Sequence, residues 1–144
     1  MARCFLVLDV AEYSRWLKTA KSTLKSAEGD LERGDYSWAC FKAQQAAEFA
    51  VKALLYGLGL PAHGHSISGL LAKAPSSLHV SEGLIQRAKT LDKLYIPTRY
   101  PNAWAEGSPE DYYTVKDAEE AICCAKEVVS WVEASWRLLR RESG

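Results

Sequence analysis

Val115, Ala118, Ile122, Ala125, Val129, Val132, Trp136 and Leu139 recur at alternating spacings of three and four residues. That rhythm belongs to an α-helix packed lengthwise on other helices, because a 3.6-residue turn returns those positions to one side, whereas a strand would need a period of two. At 1.5 Å per residue the stripe predicts a helix reaching on the order of 45 Å. A start signal stands ahead of it: Ser108 as N-cap, Pro109 at the first helical position, and Glu110 and Asp111 facing the positive end of the helix dipole.

Other stretches carry the same period. From Val10 to Arg33, the residues Tyr13, Trp16, Leu17, Ala20, Leu24, Ala27 and Leu31 form one apolar stripe, broken at Gly34. A second helix is expected from Tyr36 to Tyr56, through Trp38, Phe41, Ala46, Ala50, Ala53 and Leu54, and "GLGLPAHGH" ends it. The short break between the two predicts an antiparallel hairpin. "SISGLLAKA" makes about two turns before Pro75. Ser81 caps a further helix, "EGLIQRAKTLDKLYI", which stops at Pro97. Only "CFLVLDV" carries a strand signal. The expected fold is an all-α up-and-down four-helix bundle with an additional short helix. With 144 residues, the chain is expected to be one domain over 1–144, burying roughly 70% of the surface its unfolded form exposes.

Eighteen basic residues balance eighteen acidic ones, so no global positive field collects nucleic acid or an anionic membrane. A contact with a nucleotide or RNA has to be local. No apolar run approaches the roughly 20 residues that span a bilayer, and "MARCFLVLDV" is too short an apolar segment for a signal peptide. The expectation is a cytoplasmic protein without a membrane contact. The cysteines Cys4, Cys40, Cys123 and Cys124 lack metal-ligand spacing and read as reduced packing thiols.

Three places carry candidate chemistry. In "QQAAEFAVKALL", Gln45, Glu48 and Lys52 share one helix face, and Glu48 and Lys52 form an i,i+4 pair. That pair reads either as a solvated ion pair or as a polar strip along a groove or subunit interface, where the surrounding alanines let helices come close. "HGHS" places His63 and His65 in a loop, yet no acidic residue lies between Leu58 and Val80. No metal and no cofactor are therefore expected, and His65 is expected to cap or pack on the short helix that begins at Ser66. The third place is "LYIPTRYPNAW". Pro97 and Pro101 stop a helix from continuing and bias Ile96 and Tyr100 toward extended backbone, so "PTRYP" is expected to be stiff and extended. It would hold Arg99, a planar fork for phosphate or carboxylate, beside Tyr95, Tyr100, Asn102 and Trp104, whose aromatic members offer faces for a base. The competing expectation has Arg99 binding helix-terminal carbonyls or an acid while the aromatics close the bundle end. No glycine-rich phosphate loop and no recognisable catalytic triad competes with this stretch.

The succession "FKAQQAAEFAVKALLYGLGL", "HGHSISGLL", "LDKLYIPTRYPNAW" and a long closing helix resembles the HEPN domain family over Ala11 to Trp136. The resemblance implies a four- or five-helix bundle, commonly a homodimer, often encoded beside a minimal nucleotidyltransferase. Members are proposed to bind nucleotides, and many are RNases of toxin-antitoxin or defence systems. The RNase branch relies on an arginine followed, after four to six residues, by a histidine; after Arg99 those positions hold Trp104, Ala105 and Glu106. Without imidazole there, no group with a pKa near neutrality stands ready as acid or base. The resemblance therefore implies a nucleotide- or phosphate-binding module, with Arg99, Tyr100, Asn102, Tyr95, Trp104, Glu48 and Lys52 as site residues and no catalytic group. Alternatives are a metal-independent RNase toxin with an unconventional site around Arg99, or a purely structural dimer.

Overall fold

Asp9 sets the first helix: its Oδ1 accepts the Glu12 N–H at 3.1 Å, and helix α1 runs Val10–Arg33. Gly34 ends it at φ 83°, a left-handed conformation that glycine adopts without a side-chain clash. The computed structural model describes residues 7–143. It places α2 at Tyr36–Gly57, α3 at Ile67–Leu71, α4 at Glu82–Asp92 and α5 at Val115–Ser143. No strand occurs among the described residues: of "CFLVLDV", Val10 already opens α1, Val7 to Asp9 are not strand, and Cys4, Phe5 and Leu6 lie outside the described residues.

Helix α2 is the centre of the molecule. It packs along α1 and α5 and also meets α3 and α4. Its fully buried alanines, Ala39, Ala43, Ala46, Ala47, Ala50 and Ala53, allow those close approaches, and Val51, Leu54 and Leu55 fill the space between helices. Helix α5 contributes Val132 and Leu139, as its heptad-like stripe predicts, and Val128 from outside that stripe, whereas Val115 at the head of the stripe is exposed. At one end of α2 three helices close on Gly57, where an added Cβ would stand 2.6 Å from Trp136 Cζ3 and 3.0 Å from the Tyr13 Cβ. Tyr13 and Trp136 stack there with centroids 3.9 Å apart and rings 9° from parallel.

Three boundaries differ from the sequence reading. Helix α4 stops at Asp92 rather than running to Ile96, so it is 11 residues long. Ser108, Pro109, Glu110 and Asp111 do make a capping box, but on a 3-10 turn, Pro109–Asp111. Helix α5 begins later, where Thr114 Oγ1 accepts the Asp117 N–H at 3.2 Å and Asp117 Oδ2 accepts the Thr114 N–H at 2.9 Å. The "PTRYP" stretch is turned instead of extended: Arg99 N–H donates to the Ile96 carbonyl at 3.2 Å. Tyr100 itself, preceding Pro101, is extended at φ −116°, ψ 118°.

Candidate functional site

Helical spacing puts Phe41, Gln44, Gln45, Glu48 and Lys52 along one face of α2. Glu48 and Lys52 are 2% and 8% exposed, so their pair is buried and not solvated. Lys52 Nζ donates to Glu48 Oε2 at 3.1 Å. The other oxygen, Oε1, accepts the Gln44 and Gln45 side-chain amides at 3.3 and 3.4 Å and lies 3.2 Å from His65 Nδ1. A buried carboxylate pays heavily in lost hydration unless a cation and several donors replace the water, and here four donor groups surround it.

Two anchors bring His65 to that carboxylate. Gln44 Nε2 donates to the His65 carbonyl at 3.1 Å. Asp92, the last residue of α4, accepts the Ile67 and Ser68 N–H groups at 2.6 and 3.2 Å and the Ser68 hydroxyl at 2.6 Å. The start of α3 is thereby tied to the end of α4. The imidazole, expected to pack on α3, instead stacks on Tyr95 with centroids 4.2 Å apart and a 16° interplanar angle. An ionised carboxylate only accepts hydrogen bonds, so this contact calls for a proton on Nδ1. The His65 side chain is 53% exposed.

Arg99 approaches the same tyrosine from the following turn. Pro97 has no N–H to continue the helical ladder. Side chains four residues on supply donors instead: Thr98 Oγ1 to the Leu94 carbonyl at 2.7 Å, and Arg99 Nε and Nη2 to the Tyr95 carbonyl at 3.0 and 2.7 Å. The guanidinium carbon lies 4.1 Å from the Phe41 ring centroid, 4.7 Å from that of Tyr95 and 5.0 Å from that of Tyr100. Among the described residues no carboxylate forms an ion pair with Arg99. The group is thus both a helix-end lock and a fixed positive charge with donor capacity left over.

The structure brings Tyr95, Arg99 and Tyr100 together, with Glu48 and Lys52 linked to them through His65. Asn102 is exposed on a 3-10 turn, Pro101–Ala103, beyond this group. Trp104 belongs to different packing: its Nε1 donates to the Pro97 carbonyl at 2.8 Å, and its ring stacks on Tyr112 at 4.1 Å. His65, Gln44 and Phe41 were missed as site residues. Phe41 and Gln44 share the helical phase of Glu48, a signal open to reading; the role of His65 depends on Asp92, whose partner positions lie about 25 residues away in the chain. Among the described residues no group of three or more His, Cys, Asp or Glu side chains is placed to hold a metal ion, and no helix is long and apolar enough to cross a membrane.

Comparison with known proteins gives a consistent picture. The family profile described as HEPN domain matches residues 13–135. A Thermus thermophilus protein, TT1696, has a crystal structure with TM-score 0.83 and 48% identity, covering 85% of this chain and 96% of that one. The crystal structure of ST0689, an archaeal HEPN homologue, superposes with TM-score 0.71 at 42% identity, over 85% and 96% of the two chains. A Methanocaldococcus jannaschii protein named "Putative toxin MJ1304" is 28% identical over 133 residues, 81% of this chain and 88% of its own.

Proposed function

The chain belongs to the HEPN domain family, and on that premise we propose that it is a nucleotide- or phosphate-binding helical module with Arg99 as its anion-binding group. It acts in the cytoplasm with a minimal nucleotidyltransferase partner in a toxin-antitoxin-like pair. The observation that carries the reading is the state of the Arg99 guanidinium: oriented by the Tyr95 carbonyl, stacked against aromatic rings and unpaired with any described carboxylate. A cation held this way meets a phosphate with little reorganisation. Tyr100, 45% exposed beside it, offers a face on which a base can stack. The relative named "Putative toxin MJ1304" supports a toxin-like role.

The test is calorimetric titration of the protein, and of Arg99→Ala, with AMP, ATP and the purified nucleotidyltransferase. Binding by the parent protein that Arg99→Ala loses is expected. Absence of binding by the folded parent protein rejects the reading.

His65 favours a second reading. A buried carboxylate orienting an imidazole next to an arginine-bearing ring is an acid–base arrangement, and it gives the RNase alternative a histidine that the spacing after Arg99 lacks. Under the binding-module reading, unstructured RNA incubated with the protein, with or without chelator, stays intact. Cleavage that disappears in both His65→Ala and Arg99→Ala would establish the enzyme instead.

A further inference from the structure

Between the end of α4 and the start of α5 lies a cavity of about 320 Å³, and Leu94, Trp104, Tyr112, Tyr113, Asp117 and Glu120 line it. Trp104 stacks on Tyr112 with rings 9° from parallel and meets Tyr113 at 90°, so the aromatic groups form two walls at a right angle. Two carboxylates stand at this cavity, and no lysine or arginine lines it. Among the described residues neither Asp117 nor Glu120 takes part in an ion pair. Asp117 is engaged by Thr114, whereas no hydrogen bond to the Glu120 side chain is formed among these residues.

We propose that this cavity is a binding site for a primary alkylammonium cation of the polyamine kind, its ammonium group on Glu120 and its methylene stem along Trp104 and Tyr113. Aromatic faces attract cations through their quadrupole and cover alkyl stems at the same time. The positive end of the α5 dipole opposes a cation by about half an elementary charge, which two full carboxylate charges outweigh. Burial, then Cys40 and then Asp117 push the Tyr113 hydroxyl up to about 12, and burial followed by Asp117 and Glu120 pushes the Cys40 thiol up to about 12. The site is separate from Arg99, which binds the opposite charge.

Calorimetric titration with spermidine at fixed ionic strength, beside matched sodium chloride, tests the proposal. Saturable one-to-one binding is expected, weakened at least about tenfold by Glu120→Gln, in line with the loss of one charged partner. Glu120 is exposed, so the variant keeps its fold, which circular dichroism verifies. Trp104→Leu is a second variant and is expected to weaken binding likewise. Heat that fails to saturate, or equal affinity in the parent protein and Glu120→Gln, overturns the site.

Discussion

Arg99 fills the helix-end role that the sequence offers as one alternative, and it keeps the unpaired charge that the proposed phosphate-binding role needs. Because its Nε and Nη2 satisfy a helix-end carbonyl and its plane packs on Phe41 and Tyr95, Arg99→Ala is expected to destabilise the fold by about 1–3 kcal/mol. A thermal melt should show a loss of several degrees, alongside the loss of ligand. Glu48 has a larger structural share. Glu48→Ala leaves the Lys52 ammonium buried without its carboxylate, at about 3–5 kcal/mol, so chemical denaturation should show a far less stable variant. His65→Ala removes a half-exposed ring and should leave the melting temperature close to that of the parent protein, which makes it the cleaner probe of the site. Arg99, Tyr95 and Glu48 were legible because proline and helical spacing restrict where such side chains can point. His65 was not, since its position follows from Asp92 gripping the start of α3.

At the scale of elements, the long helices were readable from periodicity and their ends were less so. Two helix-start signals stand in succession, Ser108 to Asp111 and Thr114 to Asp117, and both form their capping bonds. The stacking of Trp104 on Tyr112 and the closeness of Tyr113 to it accompany a turn between them, so only the second signal opens α5. The end of α4 was misread for a related reason: Leu94 and Tyr95 continue the apolar pattern, yet side chains rather than N–H groups satisfy their carbonyls. The three-helix contact at Gly57 supplies its own test. Gly57→Ala forces a methyl group against Trp136, whose ring is held by Tyr13, and should cost about 1–3 kcal/mol despite the better helix propensity of alanine. A variant as stable as the parent protein in urea would show that the Trp136 ring yields.

For the molecule as a whole, most of the tryptophan surface is covered within one chain. Trp136 is buried, Trp16 and Trp131 are partly covered, and Trp38 remains 44% exposed. Trp38 meets Phe41 edge-on, and the Phe41 and Tyr100 ring centroids lie 4.1 and 5.0 Å from the Arg99 guanidinium carbon. The exposed aromatic surface thus borders the candidate site, and we propose that a second copy or the partner covers it. Light scattering after gel filtration should give about twice the 16.0 kDa chain mass, and a monomer at micromolar concentration would remove the homodimer. Alkaline titration reports on the core as a whole. Cys40, Tyr13 and Tyr113 all have acid groups pushed up to about 12, chiefly by burial. The folded state holds those protons to higher pH than the unfolded chain, so stability is expected to fall as pH rises from about 9, where an unfolded thiol starts to ionise, to about 12. The most direct test of the phosphate site is heteronuclear NMR of the histidine and arginine side chains during titration with AMP. Three histidines are present, and the His65→Ala spectrum identifies the relevant one. The expected result is that the His65 ring and the Arg99 Nε–H signals move together and saturate while those of His63 and His79 stay in place; unmoved His65 and Arg99 signals, at concentrations where AMP binds, would contradict the site.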